Sequence, residues 1–377
     1  MNRTIASLHR TYSLPNVVAP VAIQHGNVFR ACRLTKRATQ ELHGNDAAMI
    51  EWGSRAGARG ASGHDASDDA LAIVRRMADA ARHPDFEQRP VFSLMAPAEQ
   101  RVPVVFNAPH SGRDYPARFQ STSRLDPMQL RRSEDAYVDE LFATAVPMGS
   151  PFLVARFPRA WLDVNREPYE FDPRMFDGPL PHYANVRSVR VAGGLGTVPR
   201  LVAEGRDIYR KRLPVAEALS RVEEVYKPYH DALRTLTSAT HQRFGRSILI
   251  DCHSMPSAVR EGEGGRPDIV VGDRFGTAAA RPLTDLAVSL LRDKGYGVAR
   301  NKPYAGGFIT EHYGRPARGL HTLQIEINRG LYMNEITQER TAGFEALRED
   351  IARFIADFMA RCEVVLGDPP VLLDAAE

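Results

Sequence analysis

Two histidines occupy the same kind of place in this sequence. His110 follows the apolar run Val-Pro-Val-Val-Phe and precedes Ser111-Gly112, and His253 follows Ser-Ile-Leu-Ile-Asp. Each belongs where a buried strand opens into a loop, and an imidazole there can act as metal ligand, general base or satisfied structural group. They are too far apart to be helix neighbours, but they can meet at the rim of one sheet. A catalytic zinc ion takes three protein ligands from His, Asp and Glu and keeps a fourth position open, so this pair needs one more donor. Asp114, Glu134 and Asp135 are the nearby acids. Asp114 sits in a Gly-Arg-Asp-Tyr-Pro turn that suits a structural cap. Asp135 opens the run DAYVDELF, where a carboxylate is favoured at a helix N-terminus with or without a metal. Asp251, two residues before His253, is a natural partner for that imidazole.

Glu326 is the most unusual residue chemically. It interrupts Leu-Gln-Ile-Glu-Ile-Asn, a run that reads as a central strand, and carboxylates are rarely buried without a partner. A glutamate there suits the general base of a metallohydrolase; the competing reading is an ion pair with Arg329 or Arg166. In Arg-Ala-Trp-Leu-Asp-Val-Asn-Arg, residues 159–166, Asn165 and Arg166 can grip a substrate carboxylate, since arginine forks bind carboxylates bidentately. Ser111 beside His110, and Gly307 in Tyr-Ala-Gly-Gly-Phe, are further candidate substrate contacts. The Tyr-Ala-Gly-Gly-Phe segment is no nucleotide fingerprint, and the sequence lacks the G-x-S-x-G elbow of serine hydrolases. Cys252 reads as packed on the opposite side of its strand from His253.

The elements that must position these groups alternate along the chain. Strands are expected at Val102–Asn107, Phe152–Ala155, Trp161–Val164, Ser247–Asp251, Ile269–Gly272 and Leu320–Ile327. Helices are expected at Asp68–Arg82, Asp135–Ala145, Glu204–Thr237, Ala278–Lys294 and Gln338–Val365. Strands interleaved with long helices predict an α/β domain with a largely parallel sheet and helices on both sides. Such sheets bind ligands outside the carboxyl ends of their strands, where both histidines and Glu326 fall. The expected organisation is an extension and linker over residues 1–67, an amphipathic helix and connection over 68–90, a catalytic domain over 91–366 and a tail over 367–377.

The 377 residues are 43% hydrophobic and 25% charged, enough to bury a sizeable core. Forty-nine basic against 46 acidic side chains give a net charge of +3, which is no footprint for nucleic acid. No apolar run is long enough to span a membrane. Three scattered cysteines suggest a reducing cytoplasm. The stretch before Glu41 holds six Lys and Arg residues and no acid; without an apolar segment it reads as an extension rather than a targeting signal.

Together, PHSGRDYP, SEDAYVDELF, RAWLDVNR, DCHSMPS and GGFITEHYGRP followed by GLHTLQIEINRGLYMNE resemble the N-formylglutamate amidohydrolase family, in order, over roughly Val102 to Ala360. The resemblance implies a zinc hydrolase whose fold is a three-layer αβα sandwich around a mixed, largely parallel sheet, akin to zinc carboxypeptidases. By that resemblance His110, His253 and Asp135 are the metal ligands, one zinc ion being bound per chain. Glu326 takes the place of the catalytic glutamate, and Asn165 and Arg166 resemble a carboxylate-gripping pair. The expected reaction is hydrolysis of an N-formyl or other small acyl amide of an acidic amino acid, with Arg159 or Arg166 stabilising the oxyanion. The partner is a small-molecule substrate. The rivals are a carboxypeptidase or deacylase acting on larger amides, and a metal-free binding protein for an acidic metabolite.

Overall fold

Nine consecutive residues, Ser247–Met255, form a strand in which every side chain is buried, as in strands covered on both faces. The structure is a computed structural model and describes residues 65–87, 89–202, 205–259 and 265–368, all within one compact unit, Gly60–Glu377. The expectations for residues 1–64 and for 369–377 lie outside the described residues. The central sheet has seven strands: β1 (Phe92–Met95), β2 (Val104–Ala108), β3 (Phe152–Ala155), β4 (Ser247–Met255), β5 (Ile269–Gly272), β6 (Val298–Arg300) and β7 (Leu320–Asn328). Their order is β1-β3-β2-β4-β7-β5-β6. Strands β3, β2, β4 and β7 run parallel, β1 is antiparallel to β3, and the parallel pair β5 and β6 is reversed relative to β7. The sheet is thus mixed and largely parallel, as the alternation of elements predicts.

Six helices matter for the site: α1 (Asp65–Ala80), α2 (Val138–Phe142), α3 (Lys227–Phe244), α4 (Arg281–Arg292), α5 (Phe308–Tyr313) and α6 (Gly343–Leu366). Side chains of a strand alternate between its faces. Val104, Phe106, Ile248, Ile250, Cys252, Leu323, Ile325 and Ile327 therefore share one core with Leu283, Leu286 and Leu290 of α4 and Phe344, Ile351 and Phe358 of α6. Val105 and Leu249 point the other way, into a core shared with Leu71, Val74 and Ala78 of α1 and Tyr229, Leu233 and Leu236 of α3. Each fully buried side chain of this size contributes about 1.5–3 kcal/mol by leaving water, which makes the sheet a stiff platform. The alternation that commits Cys252 and Ile325 to one core turns His253 and Glu326 to the opposite face.

Three expectations are corrected, and two strands are added. Residues 161–164 form no strand: the Trp161 N–H donates to Pro158 O at 2.9 Å, the Asp163 N–H to Thr197 O at 2.8 Å and the Asn165 N–H to the Asp163 carboxylate at 2.9 Å. Consecutive apolar residues are buried here in a wrapped loop, and turn-forming Asp and Asn side chains compete with extended pairing. The helix expected over Glu204–Thr237 starts at Val215, after Pro214, passes through a π-helical turn at Val222–Tyr226 and continues to Phe244. Pro228, just beyond that turn, has no N–H to give to a regular ladder, and wider turns accommodate such a loss. Asp135 precedes its helix by three residues instead of opening it, because its backbone N–H is taken by His110 O at 3.0 Å. Finally, β1 and β6 were not anticipated as strands; at four and three residues they are too short to show a period.

Candidate metal centre and active site

The carboxyl ends of β2, β4 and β7 meet in the middle of the sheet. His110 lies two residues past the end of β2, while His253 of β4 and Glu326 of β7 are partners in register. The Asp135–His110 backbone hydrogen bond brings the acidic turn to the same point. There His110 Nδ1 and His253 Nδ1 face each other at 3.2 Å. Asp135 Oδ2 lies 3.0 Å from His253 Nδ1 and 3.4 Å from His110 Nδ1. All three residues are buried. A cation bonded at about 2.0–2.1 Å to each donor of a tetrahedral face separates the donors by about 3.3–3.4 Å. The triangle matches that spacing, and two imidazoles with one carboxylate are donors that a divalent transition metal accepts. His110, Asp135 and His253 can thus hold a metal ion.

Each of the three is fixed from behind. His110 Nε2 lies 2.8 Å from Asp163 Oδ1. His253 Nε2 lies 2.9 Å from Asp251 Oδ2, an ion-pair distance off the line of a hydrogen bond. Arg329 Nη2 donates to Asp135 Oδ1 at 3.0 Å, and Ser254 Oγ lies 3.2 Å from the same oxygen. The carboxylate behind His110 orients that ring and selects the nitrogen that faces the ion, while Asp251 acts on His253 through its charge. Burial opposes ionisation of Asp135, yet hydrogen bonds from His110 and His253 hold its carboxyl well below the usual range. Burial likewise opposes Asp163, which Arg159, Arg166 and His110 hold well below it. The sequence suggested Asp251 as an imidazole partner but assigned no role to Asp163; an acid two residues before the Asn-Arg pair was the available signal.

Glu326 behaves differently. It forms no ion pair among the described residues: Arg329 is engaged by Asp135 and Arg166 by Asp163 at 3.4 Å. Burial pushes its carboxyl up to about 7, with Asp135 adding to the effect and His253, Arg159 and Arg329 opposing it. Its Oε1 accepts a 2.8 Å hydrogen bond from Gln324 Nε2. The orientation of that amide is set, because Gln324 Oε1 accepts the Gly307 N–H at 2.8 Å and lies 3.3 Å from Thr310 Oγ1. Gln324, which the sequence reading passed over, holds one oxygen of Glu326, and both side chains line the cavity. Gln324→Glu keeps the acceptor for Gly307 and Thr310 but replaces the donor with a second carboxyl. It is expected to lower kcat about 10- to 100-fold with KM within about threefold, whereas Thr310→Val, which spares the donor, leaves kcat nearly unchanged. Steady-state kinetics of both variants check this, and a purely structural role for Gln324 would not separate kcat from KM.

The centre opens into a cavity of about 570 Å³, within the range of small-molecule sites. His110, His253, Glu326, Asn165, Gly307 and the arginines 132, 159, 166, 190, 274 and 329 line it. Arg159 Nε donates to Asp163 Oδ2 at 3.0 Å, so the carboxylate behind His110 ties it to the centre. Asn165 lines the cavity, but its amide is turned to the protein: Oδ1 accepts the Ile309 N–H at 2.8 Å and Nδ2 lies 3.3 Å from His253 Nε2. Gly307 brings its backbone against that amide, and a Cβ there would collide with the Asn165 side chain. Ser111 is not brought to the cavity; its buried hydroxyl accepts the Asp139 N–H at 3.2 Å and anchors α2 instead. Cys252 is buried in the core on the far face, and burial raises its thiol well above the ordinary value.

An αβα sandwich that gathers these groups at strand carboxyl ends has the build of a hydrolase. The sequence model of the family described as N-formylglutamate amidohydrolase matches residues 102–333, more than half of the chain, and the chain belongs to that family. It is similar to the N-formylglutamate deformylases of Pseudomonas putida, 28% identical over 67% of this chain and 88% of that protein, and of Pseudomonas aeruginosa, 30% identical over 62% and 84%. Among solved structures it is similar to the N-formylglutamate amidohydrolase of Ralstonia eutropha JMP134, with 37% identity and a TM-score of 0.68 over 72% of this chain and 99% of that one. The protein is thus a hydrolase acting on an amide bond. No described helix is long and apolar enough to cross a membrane.

Proposed function

We propose that the protein is a zinc-dependent deformylase that converts N-formyl-L-glutamate and water to formate and L-glutamate. The observation that carries this reading is the donor triangle of His110, Asp135 and His253 set beside Glu326 at the floor of an arginine-lined cavity. Zinc, when bound, supplies the Lewis acidity that makes water nucleophilic near neutral pH. Glu326, with one oxygen held by Gln324, accepts a proton from the attacking water and returns it to the departing amine. Arg159 donates to the oxygen that becomes negative as the formyl carbon turns tetrahedral. The arginine-rich wall attracts an acidic amino acid. Formate release from N-formyl-L-glutamate by the purified protein, abolished by a chelator and restored by zinc, is the expected result. Zinc-loaded protein that releases no formate would defeat the substrate assignment.

A further inference from the structure

The arginines of the cavity are not equivalent. Arg159, Arg274 and Arg329 are each paired with a carboxylate, and Arg166 stands 3.4 Å from Asp163. The guanidinium of Arg190, half-buried on the short helix Val189–Ala192, has no hydrogen-bond or ion-pair partner among the described residues. A turn ties it to Arg166: the Leu195 N–H donates to Arg190 O at 2.8 Å, and Arg166 Nε donates to Leu195 O at 2.8 Å. Arg166 Nη1 is held by Asn165 O, also at 2.8 Å. Burial lowers Arg166 to about 10; Arg159 and Arg190 add like-charge repulsion, and Asp163 and Glu170 oppose it. Two guanidinium groups lining one cavity repel each other, and an anion between them relieves the repulsion.

Hydrogen bonds order these groups in space. Arg159 donates to Asp163, the carboxylate behind His110, and so belongs to the reacting end. Arg166 also stands 3.4 Å from Asp163, whereas Arg190 is tied to Arg166 through Leu195. Leu195 and Val202 line the same wall and offer an apolar surface to methylene groups.

We propose that Arg190, together with Arg166, binds the side-chain carboxylate of the acidic substrate and is the residue that makes the site specific for a dicarboxylate. The inference rests on the deformylase reading for its substrate, and adds to it which side chain reads the second carboxylate. The guanidinium fork matches a carboxylate in plane and charge, and an uncharged amide in the same position leaves the two cations uncompensated.

The test compares N-formyl-L-glutamate with its neutral isostere N-formyl-L-glutamine. In Arg190→Met, kcat/KM for N-formyl-L-glutamate should fall about 10- to 100-fold, mainly through KM, while that for N-formyl-L-glutamine changes by less than about threefold. Arg190→Glu should reverse the preference. Equal losses on both substrates, or none, would overturn the proposal. Calorimetric binding of L-glutamate and L-glutamine to zinc-loaded protein separates this inference from the activity. If no formate is released but glutamate binds better than glutamine and loses that advantage in Arg190→Met, the deformylase reading fails and the subsite stands. If wild-type protein does not discriminate glutamate from glutamine, the subsite fails even where formate is released.

Discussion

Glu326→Gln is expected to lower kcat about a thousandfold while leaving KM within a few-fold and metal content unchanged. Proton transfer by a positioned carboxylate contributes about 10²- to 10⁴-fold to a rate. Glutamine keeps the size of the side chain and can still meet Gln324, so the packing around β7 survives. The pH profile gives a second readout. Burial places the Glu326 carboxyl at about 7, and only its ionised form accepts a proton. The rate therefore falls as pH drops through that value, approaching tenfold per unit. A cation in the neighbouring triangle favours the carboxylate and draws the limb to or below about 7. Glu326→Gln should have no such limb in its residual activity. An unchanged kcat would remove Glu326 from the reaction.

The second large effect concerns the metal. His110→Ala should reduce bound zinc from near one equivalent to a trace in protein dialysed against low free zinc, with formate release lost in parallel. The remaining imidazole and carboxylate cannot complete a face of three donors. Folding provides a measure independent of turnover. An ion that binds only the folded chain raises its stability with ion concentration, so zinc should raise Tm of the wild type and leave Tm of His110→Ala nearly unchanged. Asp163→Asn tests the support behind the ring, because His110 Nε2 lies 2.8 Å from that carboxylate. Loss of such a partner weakens metal affinity about 10- to 100-fold. Its zinc stoichiometry should recover at high zinc while that of His110→Ala does not. A His110→Ala protein that retains a full equivalent of tightly bound zinc would refute the ligand set.

Local pattern accounts for how much of this was legible. His110, His253 and Glu326 announce themselves because each is polar where a continuous apolar run ends or breaks, and buried strands must tie such residues to function or to a partner. Cys252 was readable for the same reason, since a period of two sends neighbours to opposite faces. Asp135 was less plain, because an acid ahead of an amphipathic run is a favourable helix end in its own right. The structure settles its position through one backbone hydrogen bond to His110 O. Ser111 misled, since adjacency in sequence to a cavity residue says nothing about which side of the chain its hydroxyl faces.

Residue pattern alone is enough for the class of fold and for the three strand ends that converge. Hydrophobic periodicity and strand-end polarity are local properties, and parallel strands with helical crossovers leave few ways to arrange them. Only the folded molecule establishes the pairings across the chain: Asp163 behind His110, Arg329 on Asp135 instead of Glu326, and Arg190 beside Arg166. None of the three has a local signature that picks out its partner. The residues of Arg-Ala-Trp-Leu-Asp-Val-Asn-Arg illustrate the difference, for their types promised a strand with carboxylate-binding groups at its end. Burial of Trp161 and its neighbours in the core instead wraps them into a loop, and that loop delivers Asp163 and Arg159 to the same point in space. Which partner a charged side chain meets depends on the packing of residues far away in the chain, and that is a property of the folded molecule.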